Sequence, residues 1–444
     1  MSTESTMKVL PEGWDTRTLK ICLEKLKSGK YVERGWSPQC LSRPAQNAWG
    51  VLKTTSVQMG EFLPEYNKEL PKSLEPKVGL EVNDGDFLVT TTGPRNRCGV
   101  VCRVRTTPRR LIFSGKILRF RADESQVLGP YLMYLLMSPD YQKELDGLKV
   151  GTSDSSVSIG NQQILDLEIP LASIEEQAKI VELLEEQLSR LDAVLGSVSA
   201  VRKKAARFRR SLLQAGFNGG LTGHDASTGI TPDGWKTTTI AEVADFIRGV
   251  TYQKSDARKE PEEGFLPLIR ATNIGNESLS YDEFVFVPKK VVKPEQLIRV
   301  NDMVIAASSG SISIVGKSAP VLMDFEATFG AFCAVLRPQS SISPDFFRLY
   351  VQSPICRETW SNLARGTNIN NLKREQVLTT SIPLPPLGEQ EKIAEILDQQ
   401  ISHLDAAFAV ADAIEKNASA MRRSLLHAAF TGELTKQWRE DAHV

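Results

Sequence analysis

The stretch from Ile169 to Thr222 returns, residue for residue at one constant offset, from Ile382 to Thr435. Ile169-Pro170-Leu171 answers Ile382-Pro383-Leu384 and Glu176-Gln177 answers Glu389-Gln390. Leu191-Asp192 answers Leu404-Asp405, and Arg209-Arg210-Ser211 answers Arg422-Arg423-Ser424. A match this long is a duplication, so one unit has been used twice. It extends weakly upstream, where Pro11-Glu12-Gly13-Trp14 is echoed by Pro232-Asp233-Gly234-Trp235. Asn83 to Leu88 loosely parallels Val300 to Ile305, and Ser138-Pro139 with Gly151-Thr152 parallels Ser353-Pro354 with Gly366-Thr367. The order is variable, shared, variable, shared.

Each shared segment reads as a long helix. In the first copy Ile180, Leu184, Gln187, Leu191, Val194, Val198, Val201, Ala205, Phe208 and Leu212 fall at alternating steps of four and three, a coiled-coil seam. The second copy keeps that register with Ile393, Leu397, Gln400, Leu404, Ala407, Ala411, Ile414, Ala418, Met421 and Leu425. Ser173 with Glu176 has capping-box spacing, and Pro383, Pro385 and Pro386 force an extended lead-in to the second helix. Gly219, Gly220 and Gly432 follow the last seam residues, where a chain leaving a helix often turns left-handed. Each helix should run about 40 residues, roughly 60 Å. Helices this long cannot be covered by one small domain, so the expectation is an antiparallel coiled coil of the two copies, with pseudo-two-fold symmetry, holding two domains apart. Gln187 and Gln400 would be polar seam residues that fix register.

At 444 residues the chain exceeds one ordinary core, and the repeat divides it into halves that can each bury their own. The expected division is a first mixed α/β domain over residues 1–168, a central helix over 169–218, a second domain over 219–381, a C-terminal helix over 382–431 and a tail over 432–444. The 54 Lys and Arg balance 54 Asp and Glu, so any affinity for a polyanion must come from local patches or partners. Met1 to Lys8 is polar and no apolar run approaches the roughly 18 residues that span a bilayer. A cytoplasmic protein with no membrane partner is expected. Cys22, Cys40, Cys98, Cys102, Cys333 and Cys356 follow no metal-ligand spacing and read as reduced, mostly buried thiols.

The variable segments carry strand-like runs at Asp86–Thr91, Leu111–Phe120, Phe284–Pro288 and Met303–Ala307, with helical stretches near Tyr131–Met137 and Phe346–Gln352. The fold class expected is α/β in the mixed α+β sense. Polar residues in turns beside these strands are the candidate binding groups: Thr92, Arg95, Asn96 and Arg97 in the first half, Ser308, Ser309, Ser311 and Lys317 in the second. Arg270 and Asn273 join them, as do Thr152 and Ser153 after Gly151, and Asn368, Asn370 and Asn371 after Gly366. Arg can make two hydrogen bonds to guanine, Asn two to adenine, and Ser or Thr adapt to either. Each is equally apt to stabilise its own turn. Arg103, Arg105, Arg109 and Arg110 form one basic cluster, and the run Arg202 to Arg210, with Lys203, Lys204, Arg207 and Arg209, forms another that suits phosphate, a partner protein or the helix dipole.

Enzyme chemistry finds little to build on. Gly310 to Ser318 resembles a phosphate-binding loop, but five residues separate its glycines where that motif has four, and Pro320 opposes the helix that should follow. Pro385-Pro386 follows leucine rather than Asn or Asp, and no glycine-rich turn suits a methyl-donor cofactor. Pro139-Asp140 and Pro344-Asp345 lack the acidic-x-Lys partner of a metal-dependent nuclease. His224, His403, His427 and His443 read as solvated surface groups, with no metal site and no catalytic residue among them.

Two divergent domains, each opening near Pro-x-Gly-Trp and closing with Ile-Pro-Leu, Glu-Gln and then Gly-x-Leu-Thr, resemble the specificity subunit of type I restriction-modification systems. The resemblance rests on Ile169 to Leu171, Glu176-Gln177 and Gly219 to Thr222, with Ile382 to Leu384, Glu389-Gln390 and Gly432 to Thr435, and covers nearly the full chain. It implies a DNA-binding protein whose two variable segments are target recognition domains, each for one half of an asymmetric bipartite site in double-stranded DNA, while the paired helices set the spacer. It also implies docking of two modification subunits on those helices, around Ile180, Leu184, Leu191, Ile393, Leu397, Leu404, Arg209, Arg210, Arg422 and Arg423. Those subunits would methylate adenine with S-adenosylmethionine, and restriction subunits would add ATP- and Mg-dependent translocation and cleavage. Such a chain supplies the address and has no catalytic centre of its own. The competing expectation is a coiled-coil scaffold joining two protein- or glycan-binding modules.

Overall fold

The computed structural model describes residues 10–226, 231–275, 278–364 and 370–442; Gly366, Thr367, Asn368 and His443 lie outside the described residues. It divides into two compact units, residues 1–198 with 413–444 and residues 199–412. Both are mixed α/β, and both repeat one plan.

In the first unit a four-stranded antiparallel sheet runs in the order Glu33–Arg34, Ile117–Phe120, Phe87–Thr90, Val101–Arg103. In the second the order is Ala244–Arg248, Cys333–Pro338, Met303–Ala306, Ser318–Pro320. The third strand of each is buried along its whole length. Alternation sends Phe87 and Val89 into one core and Leu88 into another, and divides Met303 and Ile305 from Val304 and Ala306 in the same way. Each sheet is covered by a pair of short helices, Gly129–Met137 with Pro139–Gly147 and Pro344–Gln352 with Pro354–Leu363. The run Leu111–Phe120, expected as one strand, is two. Ile117 N bonds Ser114 O in a turn, so Leu111–Phe113 leaves to pair in parallel with Gly50–Leu52.

A buried carboxylate anchors the start of each central strand. Asp86 Oδ1 accepts from Arg121 Nε at 2.5 Å, with Arg119 Nη1 3.5 Å from Oδ2; Asp302 takes a two-point contact from Arg337, at 2.8 and 2.7 Å. The sequence parallel between Asn83–Leu88 and Val300–Ile305 is this clamp.

The Pro-x-Gly-Trp openings are turns. Trp14 N bonds Pro11 O and Trp235 N bonds Pro232 O, with Gly13 and Gly234 at φ of +83° and +82°, which an L side chain resists. The strands that follow, Asp15–Thr18 and Lys236–Thr239, pair with the Ile-Pro-Leu strands Glu168–Leu171 and Ser381–Leu384, closing each segment's beginning on its end.

The repeated helices run Ile174–Phe217 and Leu387–Phe430, 44 residues each. Glu176 N bonds the Ser173 hydroxyl at 3.2 Å at the start of the first, and Gly219 and Gly432 take positive φ after the ends, as their spacing predicts. In the first unit the start of one helix packs antiparallel on the end of the other: Ile180, Leu184 and Leu188 share a core with Leu426, Ala429 and Phe430, and Arg422 pairs with Asp192. In the second unit Leu212, Leu213 and Phe217 share a core with Ile393, Ala394, Leu397 and Ile401. There Arg202 pairs with Asp412, and Arg209 Nη1 with Asp405 Oδ1 at 3.0 Å.

The seam itself needs a correction. Val194, Val201, Phe208 and Met421 are exposed, Ala407 with them, and Gln187 and Gln400 are only half-buried. Their positions on the packed face belong to the next residue along: Leu188, Leu195, Arg202 and Arg209 in one helix, Ile401, Phe408 and Arg422 in the other. An apolar count passes over arginine, but an arginine stem covers apolar surface while its head meets a carboxylate on the facing helix. The ion pairs Arg209–Asp405 and Arg422–Asp192 therefore join the repeated Arg-Arg-Ser of one copy to the repeated Leu-Asp of the other.

Glu176 and Glu389 close the ends. Trp14 Nε1 donates to Glu176 Oε2 at 2.9 Å, Thr435 Oγ1 donates to Oε1 at 2.6 Å, and Arg439 bonds the same oxygen. In the second unit Thr222 Oγ1 donates to Glu389 Oε1 at 2.5 Å, and His224 Nε2 lies 3.0 Å away. His224 was expected in solvent; it is instead half-buried, edge-on to Trp235. The neighbouring glutamines, both fully buried, tie the helices to their domains. Gln177 Oε1 accepts from Leu128 N at 2.8 Å and Gln390 Oε1 from Ser343 N at 2.7 Å.

The buried clamp and the half-buried seam pairs should differ sharply. Arg337→Ala strands Asp302 in the core and is expected to cost about 3–5 kcal/mol, whereas Arg209→Ala should cost under about 1 kcal/mol, both read by urea unfolding of the full chain. Burial pushes the Glu389 carboxyl up, but hydrogen bonds, that of Thr222 the strongest, hold it below its ordinary value. Its contribution is therefore complete above the unfolded carboxylate value of about 4.3 and is lost as pH falls through the lowered folded value. Glu389→Gln should flatten that acid limb when unfolding is followed by circular dichroism.

Candidate nucleic-acid interface

Past Thr90 the central strand of the first unit kinks at Thr91 and continues as Thr92–Gly93, which pairs with Ser156–Ser158; that strand pairs in turn with Val150–Ser153. Ser158 stands opposite both Thr92 and Val150. The structure thus brings Thr92, Thr152 and Ser153, distant in sequence, onto one small exposed sheet. Arg95 holds it in place. Its backbone N bonds Asp154 O at 2.8 Å, its Nη2 bonds Asp146 Oδ2 at 2.7 Å, and Lys149 Nζ reaches both Arg95 O and Asp146 Oδ1. Hydrogen bonds from Lys149 and Arg95 hold the Asp146 carboxyl below its ordinary value. Asn96 is exposed beside them.

The second unit does the same with fewer strands. Met303–Ala306 kinks at Ala307 and continues as Ser308–Ser309, paired with Asn370–Asn371. Ser311 Oγ lies 2.8 Å from Ser313 Oγ, and Ser311 N bonds Ser309 Oγ at 3.2 Å. Lys317 follows this turn, its backbone O accepting from Ala306 N. Gly310 to Ser318 leads into the strand Ser318–Pro320 and not into a helix.

Other candidates are committed to holding the fold. Arg97 donates to Gln58 Oε1, Thr54 O and Val57 O at 2.8 to 3.0 Å, fastening a neighbouring loop. Asn273 is buried, accepting from Arg270 N and donating to Ser280 O and Asp282 O, while Arg270 Nη2 bonds Glu283 O at 2.9 Å. Arg103 lies 3.5 Å from Glu124 and, with the exposed Arg105, lines a recess of about 330 Å³ beside Gly60 and Phe62. Among the helix arginines offered for docking, Arg209, Arg210 and Arg422 are ion-paired to Asp405, Glu358 and Asp192, and Arg423 is exposed. Lys149 and Asp146, which order the first polar edge, escaped the sequence reading because a charged pair three apart looks like any solvated helix end.

The cysteines are free, and burial pushes Cys22 to about 11 and Cys102 and Cys333 to about 12, so these thiols stay protonated and unreactive. No described helix is long and apolar enough to cross a membrane.

Residues 232–409 match the family model for the type I restriction modification DNA specificity domain. The specificity subunit of the type I restriction enzyme EcoKI from Escherichia coli (strain K12) is 43% identical over 213 residues. Over these residues the chain is similar to type I restriction-modification specificity subunits. The EcoKI match covers 48% of this chain and 46% of that relative, so at that identity the chain spans about half the relative's length. The EcoBI specificity subunit of Escherichia coli is 26% identical over 421 residues, covering 88% of this chain and 81% of its own. A solved structure described as the structural basis underlying complex assembly and conformational transition of the type I R-M system contains a chain that superposes with a TM-score of 0.72 at 20% identity, covering 95% of this chain and 98% of that one, a likeness of fold.

Side chains that hold the fold and side chains presented at its edges separate by stability. Asn273→Ala and Arg97→Ala each leave buried partners unsatisfied and should cost about 1–3 kcal/mol; Ser309→Ala and Asn96→Ala should stay within about 0.5 kcal/mol. Chemical denaturation of the four variants measures the difference.

Proposed function

We propose that this chain is the non-catalytic specificity subunit of a cytoplasmic type I restriction-modification complex, in which each unit reads one half of a bipartite, asymmetric site in double-stranded DNA. The observation that carries the reading is the pair of half-buried to exposed polar edges. Each grows from the same strand of the same sheet, and each carries different hydrogen-bonding groups: Thr92, Arg95, Thr152 and Ser153 in one, Ser308, Ser309, Ser311 and Asn370 in the other. One scaffold bearing two unlike sets of base-edge donors and acceptors is what an asymmetric target asks for.

The paired helices then set the spacer and dock two modification subunits, with the exposed Val201, Phe208 and Arg423 offering surface for that contact. The modification subunits bring S-adenosylmethionine and methylate a flipped adenine; restriction subunits bring ATP and Mg²⁺ for translocation and cleavage. Two weak readers joined in one chain gain by effective concentration when the spacer matches.

Replacing residues 1 to 165 by the corresponding segment of another family member should change one half-site only, and inserting residues between the central helix and the second domain should change the spacer. Sequencing genomic adenine methylation with each variant reads both results; simultaneous change of both half-sites on the segment exchange defeats the modular reading.

A further inference from the structure

Phe332 is 68% exposed, the most exposed large apolar side chain among the described residues. It is not a loose tip. Its carbonyl accepts from Ala307 N at 2.9 Å and Ser308 N at 3.1 Å, the very residues that launch the second polar edge. Cys333 follows at once, bonding Gly330 O at 2.8 Å and pairing with Ala306. On the other side Val250 N bonds Phe329 O at 2.7 Å, and the chain passes so close that a Cβ on Gly249 would stand 2.1 Å from Gly330 O. The backbone is anchored on both flanks, and the residue that carries this exposed ring is bonded through its carbonyl to Ser308, which pairs with Asn371.

We infer that Phe332 is a stacking residue that packs against, or wedges between, base pairs of the half-site read by the second unit; the inference rests on the DNA-reading function proposed above. An exposed aromatic side chain on a rigid backbone, on a strand edge shared with hydroxyl- and amide-bearing residues, matches a base, which presents an aromatic face and a polar edge. The first unit puts a different chemistry at the same place. Thr90 pairs with Ile117 as Ala306 pairs with Cys333, and Thr91 N bonds Lys116 O at 2.8 Å as Ala307 N bonds Phe332 O. Lys116, exposed, is thus the register equivalent of Phe332, and it suits a phosphate. The two half-sites are gripped differently at this position, one by stacking and one by charge.

The test uses the full chain assembled with its modification subunits and three duplexes: the bipartite sequence recovered from genomic methylation, and versions with the first or the second half-site scrambled. Phe332→Ala should weaken binding to the intact duplex about tenfold to a hundredfold, leave binding to the second-half-scrambled duplex unchanged, and abolish the fluorescence change of 2-aminopurine placed in the second half-site. Phe332→Trp should restore both the binding to the intact duplex and the fluorescence change. Lys116→Ala should weaken binding to the intact and second-half-scrambled duplexes alike and lower the salt slope by about one. Parental binding by Phe332→Ala, or a loss traced to assembly with the modification subunits, overturns the inference and leaves the specificity-subunit reading standing. A parental complex that prefers no bipartite sequence overturns that reading instead.

Discussion

Two glutamates, Glu176 buried and Glu389 half-buried, one at the start of each long helix, constrain how the repeat is assembled. A carboxylate removed from water has to be given donors, and Glu176 and Glu389 sit in the first turns of their helices, where the dipole already favours negative charge. Among their donors, Thr435 and Thr222 follow the last turns. Within a single copy, glutamate and threonine lie at opposite ends of a helix of 44 residues, some 66 Å at 1.5 Å per residue, and cannot meet. They meet only across copies, with the helices antiparallel. The duplication is thus a structural necessity: each copy carries half of two sites, and each site is completed by the other copy.

The same logic explains which parts of the fold were legible in the sequence. Helix ends were, because caps, prolines and left-handed glycines act locally: Ser173, Pro386, Gly219 and Gly432 stand where their chemistry places them. The face of the helices was only half legible. Apolar periodicity identified Ile180, Leu184, Ile393 and Leu397 but chose Val194, Val201 and Phe208 over Leu195, Arg202 and Arg209, because the carboxylates that make an arginine acceptable at the seam lie two hundred residues away. Strands of three or four residues, such as Val101–Arg103 and Ser318–Pro320, left too short a pattern to read.

For the polar edges, sequence gave residue type without placement. Arg95 and Arg97 are two residues apart and chemically identical, yet one orders an exposed hairpin through Asp146 and the other is spent on the backbone of residues 54 and 57. Asn273 and Asn370 differ as much, one buried in its own turn and one on an exposed strand pair. What separates them is which carbonyls the fold leaves within reach, a property of tertiary structure alone. The shared Asp86–Arg121 and Asp302–Arg337 clamps fix one end of each central strand, so that the other end can vary in sequence without losing its position.

Charge follows the same division of labour. Of the arginines, Arg97, Arg119, Arg121, Arg209, Arg337 and Arg348 are all engaged within their own units, several with buried carboxylates. Balanced totals of 54 and 54 therefore overstate the cation available to a duplex. Non-specific attraction between protein and DNA scales with the number of phosphates neutralised, and a chain that spends its arginines on rigidity gives up much of that attraction. Discrimination needs only a few donors, acceptors and faces held still, so on the proposed reading bulk affinity would come from the assembled partners, and sequence preference and grip on a duplex would be separable.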